Sequence, residues 1–142
     1  MKIIAFILLL FVTGPEVKWL NDMDVAQKEA KSSNKLILLN FSGSDWCLPC
    51  IKMKKNVFES TEFCDYAAAS LVLVNADFPR LKHNLPDKDQ KTKNEALAEK
   101  YNPNGAFPFT VLLDADGKVL HKWDGYANMT ATQFVSQVKA SL

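Results

Sequence analysis

Two cysteines separated by two residues, in Cys47-Leu48-Pro49-Cys50, are the part of this sequence best suited to chemistry. A disulfide between them would close a loop of four residues, which removes only about 2 kcal/mol of chain entropy from the unfolded state, against nearly 5 kcal/mol for a long loop. Such a bridge stabilises a fold weakly, so the spacing favours a disulfide that opens and closes. The pair therefore predicts thiol-disulfide redox chemistry.

The position of Cys47 predicts a nucleophilic thiolate. It follows an apolar segment typical of a buried strand (residues 36–41) and a small polar turn, and it stands where a helix begins. Free N–H groups and the positive end of the helix dipole favour an anion there, so we expect the pKa of the Cys47 thiol to lie below its ordinary value. Pro49, at one of the first helical positions, sacrifices no hydrogen bond and holds Cys50 one turn away, as a resolving thiol.

Three other readings of the cysteine pair compete with catalysis. A structural disulfide is disfavoured by the small entropic gain. Half of a zinc site would need two more ligands, and the available Cys64, His83 and His121 are widely scattered. A copper site would require a neighbouring Met or His as a further ligand. The candidate, Met53, fits the apolar side of the helix instead. The sequence thus predicts no metal site and no cofactor.

An apolar run at the amino terminus predicts export. Ten apolar residues (3–12) follow Lys2, too few to span a bilayer, where about 20 are needed, but typical of a secretory signal peptide. We expect residues 1–14 to be a signal peptide, or an anchor retained through residues 3–12, and residues 15–142 to form one domain. The full chain has 17 Lys and Arg against 16 Asp and Glu; without Lys2 the count is 16 against 16. A domain with no excess of positive charge is not expected to bind the phosphate backbone of nucleic acid.

Helix and strand patterns alternate along the remaining chain. Apolar spacing predicts helices over residues 21–33, from 47 to 58, over 61–70, over 94–101 and after Thr130, which with Gln133 forms a capping-box pattern. Apolar runs predict strands over residues 36–41, 71–76, 109–113 and 118–123, the last two joined by an Asp-Gly turn. Residues 78–93 have little periodicity and are predicted to be a surface loop or an irregular insertion.

Two motifs within this order resemble the thioredoxin superfamily, and in particular exported bacterial thioredoxin-like proteins. The first is the strand, turn and Trp46-Cys47-x-x-Cys50 of residues 40–50, and the second is Gly105-Ala106-Phe107-Pro108-Phe109 before a strand. Gly125 matches the family's glycine before the final helix. The resemblance covers about residues 17–142 and implies an α/β thioredoxin fold with a central mixed sheet of four to five strands flanked by helices.

The resemblance also implies roles for individual residues. It makes Cys47 the exposed attacking thiol and Cys50 the resolving thiol of a thiol-disulfide oxidoreductase. It makes Pro108 a cis proline, and it gives Trp46, Phe107 and Pro108 contacts with the substrate. Pro49 favours the reductive direction. The implied partners are protein disulfides and a membrane thiol reductase that donates electrons, and the protein is expected to be a periplasmic or secreted monomer.

Some residues depart from the family pattern. Asn40 stands where thioredoxins carry a buried Asp that accepts a proton from the resolving cysteine, and Phe107 replaces a smaller residue. Cys64 is expected to be a packed helical thiol, and His83 and His121 to be exposed. The alternative to catalysis is a thioredoxin-fold binding module that keeps the Cys47-Cys50 disulfide for structure.

Overall fold

A five-stranded mixed sheet with helices on both faces forms the described part of the chain, residues 17–142 of a computed structural model. The strands are β1 (Trp19–Leu20), β2 (Leu36–Ser42), β3 (Leu71–Asp77), β4 (Phe109–Leu113) and β5 (Val119–Asp124). The helices are α1 (Met23–Ser33), α2 (Leu48–Met53), α3 (Thr61–Ser70), α4 (Lys88–Tyr101) and α5 (Ala131–Ala140). The expected thioredoxin fold, with its mixed sheet between helices, is confirmed. The predicted signal peptide lies outside the described residues.

Strand order brings the carboxyl ends of β2 and β3 to one edge of the sheet. The order is β1-β3-β2-β4-β5, in which β1, β3 and β2 are parallel and β4 is antiparallel to both β2 and β5. Ser42 pairs with Asp77, and Phe41 pairs with Phe109 at the start of β4. The segment after β2, the segment after β3 and the segment before β4 therefore meet at the same edge.

Alternating side chains of β2 divide the interior into two cores. Ile37, Leu39 and Phe41 pack with α1 and α4, whereas Leu38 packs with α2, α3 and α5. All four of these side chains are fully buried, and each such burial contributes about 1.5 to 3 kcal/mol before entropic costs are counted. A strand buried on both faces gives the turn that follows it a rigid base.

Helix α2 leaves this turn and continues into a π-helical turn, Lys54–Phe58. Met53 is buried in the core, and the three lysines at positions 52, 54 and 55 are exposed, as predicted. Further along, Thr130 and Gln133 form the predicted capping box at the start of α5. The two-residue strand β1 had no signal in the sequence.

The prediction that residues 78–93 form a loop is wrong in its second half. A short 3-10 helix, Lys82–Asn84, lies within this segment, and α4 begins at Lys88 rather than at residue 94. The Asp87 side chain caps α4 by accepting the N–H of Gln90 at 2.8 Å. The first turns of α4 are mostly exposed, so they lack the apolar spacing that marks a helix. No helix within residues 17–142 is long and apolar enough to cross a bilayer.

Candidate active site

Cys47 and Cys50 form a disulfide at the start of α2. The turn after β2 is closed by Gly43, whose carbonyl accepts the N–H of Trp46 at 3.2 Å and of Cys47 at 2.8 Å. Cys47 is then the N-cap residue of α2, and its sulfur accepts the N–H of Cys50 at 3.3 Å. Pro49 occupies the first turn of the helix, where no N–H is needed.

The geometry around Cys47 suits a sulfur that carries negative charge in one redox state. An N–H donor points at the sulfur, and the start of the helix adds a positive potential, so both favour the thiolate over the thiol. In this oxidised state only 4% of Cys47 and 5% of Cys50 is exposed. The expected exposed attacking thiol is thus covered while the disulfide is closed.

Trp46 is fixed on several sides. Its indole N–H donates to the carbonyl of Phe78 at 2.7 Å, and the Arg80 guanidinium lies 3.7 Å from the centre of its ring. Its ring also meets the edge of Phe107 at 5.5 Å between centroids. A Cβ atom on Gly43 would fall 2.6 Å from the indole nitrogen, so the close approach of turn and ring requires glycine.

Phe107 and Pro108 lie beside Trp46, at the edge of the sheet where the turn is. The Phe107-Pro108 peptide bond is cis, and Pro108 is buried just before β4. Phe107 contacts Phe78 at 5.6 Å as well as Trp46, so these three aromatic rings form one group. The structure therefore brings the three predicted substrate contacts (Trp46, Phe107 and Pro108) to the edge of the sheet that carries the cysteine pair.

Asp45, which no pattern in the sequence singles out, connects the segment after β3 to the redox turn, the turn of residues 43–46 that precedes Cys47. Its carboxylate accepts the N–H groups of Arg80 and Leu81, both at 2.9 Å, and the side-chain amide of Asn84 at 3.1 Å. Hydrogen bonds, chiefly that from the Arg80 N–H, lower the pKa of Asp45. The hydrogen-bond partners of Asp45 are 35 or more residues away in sequence, so no local pattern predicts these contacts.

Asp77 makes a second link between the same two segments. It accepts hydrogen bonds from the Ser44 N–H at 2.9 Å, from the Ser44 hydroxyl and from the Ser42 hydroxyl at 3.2 Å. The Asp77 carbonyl in turn accepts the side-chain amide of Asn94 on α4 at 3.0 Å. The predicted surface loop and α4 are therefore part of the support of the redox turn.

Asn40 lies in a polar cluster on the face of the sheet that packs against α2. Its carbonyl accepts the Thr110 hydroxyl at 2.9 Å, and its amide donates to the Asn75 side chain at 3.1 Å. The Ser42 hydroxyl also lies 3.2 Å from that oxygen of Asn75. The neutral amide thus both accepts and donates a hydrogen bond, which requires both its oxygen and its nitrogen.

The remaining predicted residues lie apart from the disulfide. Cys64 is on α3, half-buried, and its thiol donates to the Phe58 carbonyl at 3.4 Å. Burial, and to a smaller extent the nearby acids Asp65 and Glu59, raises the pKa of this thiol. His83 and His121 are exposed. Within residues 17–142, no three His, Cys, Asp or Glu side chains converge as a metal site would require.

Comparison with known proteins gives matches across most of the chain. Residues 23–140 match the family described as Thioredoxin-like domain. The chain is 38% identical over 117 residues to the Disulfide bond reductase DsbH of Chlamydia pneumoniae, which covers 82% of this chain and 68% of that protein. It is 30% identical over 116 residues to the Thioredoxin-related protein DsbJ of the same organism, which covers 82% of this chain and 32% of that protein. A solved structure named DsbH Oxidoreductase has a TM-score of 0.81 at 35% identity, with 89% of this chain and 85% of that chain covered.

Proposed function

Since the chain belongs to the thioredoxin superfamily and is a thiol-disulfide oxidoreductase, we propose that it reduces disulfides of other proteins through Cys47 and Cys50. The observation that carries the proposal is the position of Cys47, whose sulfur caps α2 and accepts the Cys50 N–H at 3.3 Å. A capping sulfur is stabilised as a thiolate, and the thiolate is the form that attacks disulfides.

The proposed reaction transfers two electrons in two exchange steps. The Cys47 thiolate attacks one sulfur of the substrate disulfide, so a Cys47-substrate bond forms, the substrate bond breaks, and the leaving thiolate takes up a proton from water. Cys50 then loses its proton and attacks the Cys47 sulfur. The Cys47-Cys50 disulfide forms and the second substrate thiolate leaves, so the substrate is reduced and the enzyme oxidised. A donor of two electrons must reopen the enzyme disulfide before the next cycle.

Three features support a reductive role outside the cytoplasm. Pro49 lies between the cysteines, which favours the reductive side by resemblance to the family. The relative DsbH is named a disulfide bond reductase. Residues 1–14 have the composition of a signal peptide, or of an anchor retained through residues 3–12. We therefore propose that the protein acts in the periplasm or is secreted, and we keep two expectations of the sequence, that it is a monomer and that a membrane thiol reductase supplies its electrons.

The substrate segment is proposed to bind across the surface that Trp46, Phe107 and Pro108 form together. All three lie at the edge of the sheet where Cys47 begins α2, and the rings of Trp46 and Phe107 are fixed against each other. An extended peptide beside Pro108 would present its disulfide to Cys47 and pair through its main chain. Trp46→Ala should therefore raise KM for a protein disulfide more than for a small disulfide such as oxidised glutathione.

The test is reduction of insulin disulfides by the domain of residues 15–142 with dithiothreitol as electron donor. Cys47→Ser should abolish the protein-dependent rate, whereas Cys50→Ser, reduced beforehand and mixed with insulin after the dithiothreitol has been removed, should accumulate a mixed disulfide that is visible by mass spectrometry. Cys64→Ser is the matched control, since it also removes one thiol, and it should keep full activity. Activity that survives Cys47→Ser would exclude Cys47 as the nucleophile.

The reduction potential of the pair separates catalysis from the binding-module alternative. Equilibration with a glutathione or dithiothreitol buffer should give a value near that of thioredoxin, about −270 mV. A potential below about −300 mV would mark a structural bridge, and the proposed reaction would then be wrong.

A further inference from the structure

A short exposed segment curves around the base of the redox turn. Residues 80–84 enclose the Asp45 carboxylate, which their N–H groups and the Asn84 amide hold at 2.9 to 3.1 Å. The Arg80 guanidinium lies 3.7 Å from the centre of the ring of Trp46, the residue directly before Cys47. Lys82, at the start of the 3-10 helix, is exposed on the same segment, two residues after Arg80. One cationic side chain, Arg80, is thus held over the residue that precedes Cys47, and a second follows on the segment that encloses Asp45.

The cations around the disulfide have no acidic partners. Neither Arg80 nor Lys82, nor Lys52 and Lys55 on the exposed side of α2, forms an ion pair with a carboxylate of residues 17–142. Two acids near the turn are engaged in hydrogen bonds, Asp45 with residues 80–84 and Asp77 with Ser42 and Ser44, whereas Asp124, opposite Phe109 at the same edge of the sheet, is exposed. Since residues 15–142 carry 16 positive and 16 negative side chains, this local excess is a matter of placement and not of composition.

We propose that this face selects polypeptide segments whose reactive cysteine is flanked by acidic side chains; the inference rests on the proposed function. Bond formation with Cys47 brings the substrate sulfur to this face, so the residues beside the substrate cysteine come within a Debye length of Arg80 and Lys82. Opposite charges on the protein and the substrate segment raise the rate of association and fix the orientation of the bound segment. Leu48 and Leu81, 60% and 50% exposed, offer apolar contact that suits a polypeptide more than a small free anion.

The test compares three peptide disulfides that differ only in the residues flanking cysteine: glutamate, glutamine or lysine. The reduced domain of residues 15–142 is mixed with each peptide in single-turnover experiments, which are quenched with acid, and the remaining protein thiols are blocked and counted by mass spectrometry. We expect the glutamate peptide to react fastest, with a glutamate-to-lysine rate ratio of about 10 or more at low salt, falling toward 1 at high salt.

Removing the two cations should remove the selectivity. In the double variant Arg80→Gln with Lys82→Gln, the glutamate-to-lysine ratio should fall at least about threefold. The matched control, Lys28→Gln with Lys118→Gln, removes the same charge from α1 and from the turn at the opposite end of the sheet, and should keep the ratio. Arg80→Lys keeps the charge and loses the planar contact with Trp46, so it should keep most of the selectivity.

The two proposals fail in different ways. An unchanged ratio in the Arg80→Gln, Lys82→Gln variant, including equal slowing with all three peptides, would overturn the charge selection and leave the reductase activity intact. A wild-type domain that reduces none of the three peptides would instead overturn the proposed function.

Discussion

Asn40 shows how a buried polar side chain is matched to its neighbours. An amide can accept a hydrogen bond from the Thr110 hydroxyl and donate one to Asn75 at the same time, which an ionised carboxylate cannot do. The site is 5% exposed, so a charge there would be desolvated. The departure from the family's buried Asp is therefore matched by its neighbours, which give the carbonyl of Asn40 a donor and its amide an acceptor.

Asn40→Asp should destabilise the domain in a pH-dependent way. The new carboxylate would be buried and would face the Asn75 oxygen, so its pKa in the folded state should rise above the unfolded value of about 3.9. An acid with a raised folded pKa is tolerated when protonated, so the loss should be small at pH 4 and reach about 1 to 3 kcal/mol at pH 7. Urea unfolding at both pH values measures this loss of unfolding free energy. Asn104→Asp, which makes the same change at an exposed position, is the control. A loss of equal size at both pH values would contradict this account.

Gly43→Ala should disturb Trp46 directly. The added Cβ would fall 2.6 Å from the indole nitrogen, and the ring cannot easily move, since Phe78, Arg80 and Phe107 hold it. Overpacking of this kind costs about 1 to 3 kcal/mol. Thermal or urea unfolding in a double-mutant cycle checks the cause. In a Trp46→Ala background the cost of Gly43→Ala should nearly disappear, and an unchanged cost there would assign it to the backbone instead.

At the scale of elements, Asp45 couples the segment after β3 to the turn after β2. Its hydrogen bonds lower the pKa of Asp45 below the unfolded value of about 3.9. A group with a lowered folded pKa stabilises the fold above the unfolded pKa, and that contribution is lost as the pH falls through the folded value. Asp45→Asn, which cannot titrate, should therefore be less stable than wild type at pH 7, and the difference should shrink below pH 4.

The measurement for Asp45 combines stability with local protection. Urea unfolding from pH 7 to pH 3 gives the global difference, and amide hydrogen exchange at Arg80 and Leu81 reports whether their hydrogen bonds are lost. Asp116→Asn is a suitable control, since Asp116 is also an exposed acid but lies in the turn before β5. If the amides of Arg80 and Leu81 keep their protection in Asp45→Asn, the proposed coupling is wrong.

The helices and strands with strong apolar spacing were predictable from sequence, and those without it were not. The predicted strand over 109–113 and helix over 61–70 coincide with β4 and α3, because β4 is a mostly apolar run buried along its whole length and the buried residues of α3, Phe63 and Ala67, are four positions apart. The first turns of α4 carry Lys, Asp and Thr on exposed positions, so nothing in their hydropathy distinguishes them from a loop. A Pro86-Asp87 pair before Lys88 was the available signal, as a helix cap.

The cysteine pair was predictable for a different reason, and its surroundings were not. Cys47-x-x-Cys50 after a buried strand is a local pattern, and its chemistry depends on the helix start that the same few residues create. The contacts of Asp45 and Trp46 with Phe78 and Arg80 join residues more than 30 positions apart. Only the parallel pairing of β2 with β3 brings these segments together, and that pairing is a property of the fold.

At the scale of the whole molecule, the redox state of the pair should change the stability of the fold. Unfolding and disulfide reduction form a thermodynamic cycle, so a pair that gives up electrons readily is one whose disulfide is stabilised by the folded protein. The reverse holds for a strong oxidant, whose reduced form is the stabilised one. The proposed reductive direction therefore predicts that the oxidised domain is more stable than the reduced domain.

We expect a difference of about 2 kcal/mol or more in favour of the oxidised form, since closing the four-residue loop alone accounts for about 2 kcal/mol. Urea unfolding of the oxidised and the fully reduced domain at pH 7 measures it, in a Cys64→Ser background so that the third thiol cannot exchange. Cys47→Ser with Cys50→Ser, which has no bridge in either condition, should unfold identically with and without reductant. A reduced domain that is the more stable of the two would reverse the assignment, because the pair would then accept electrons from its substrates and act as an oxidant.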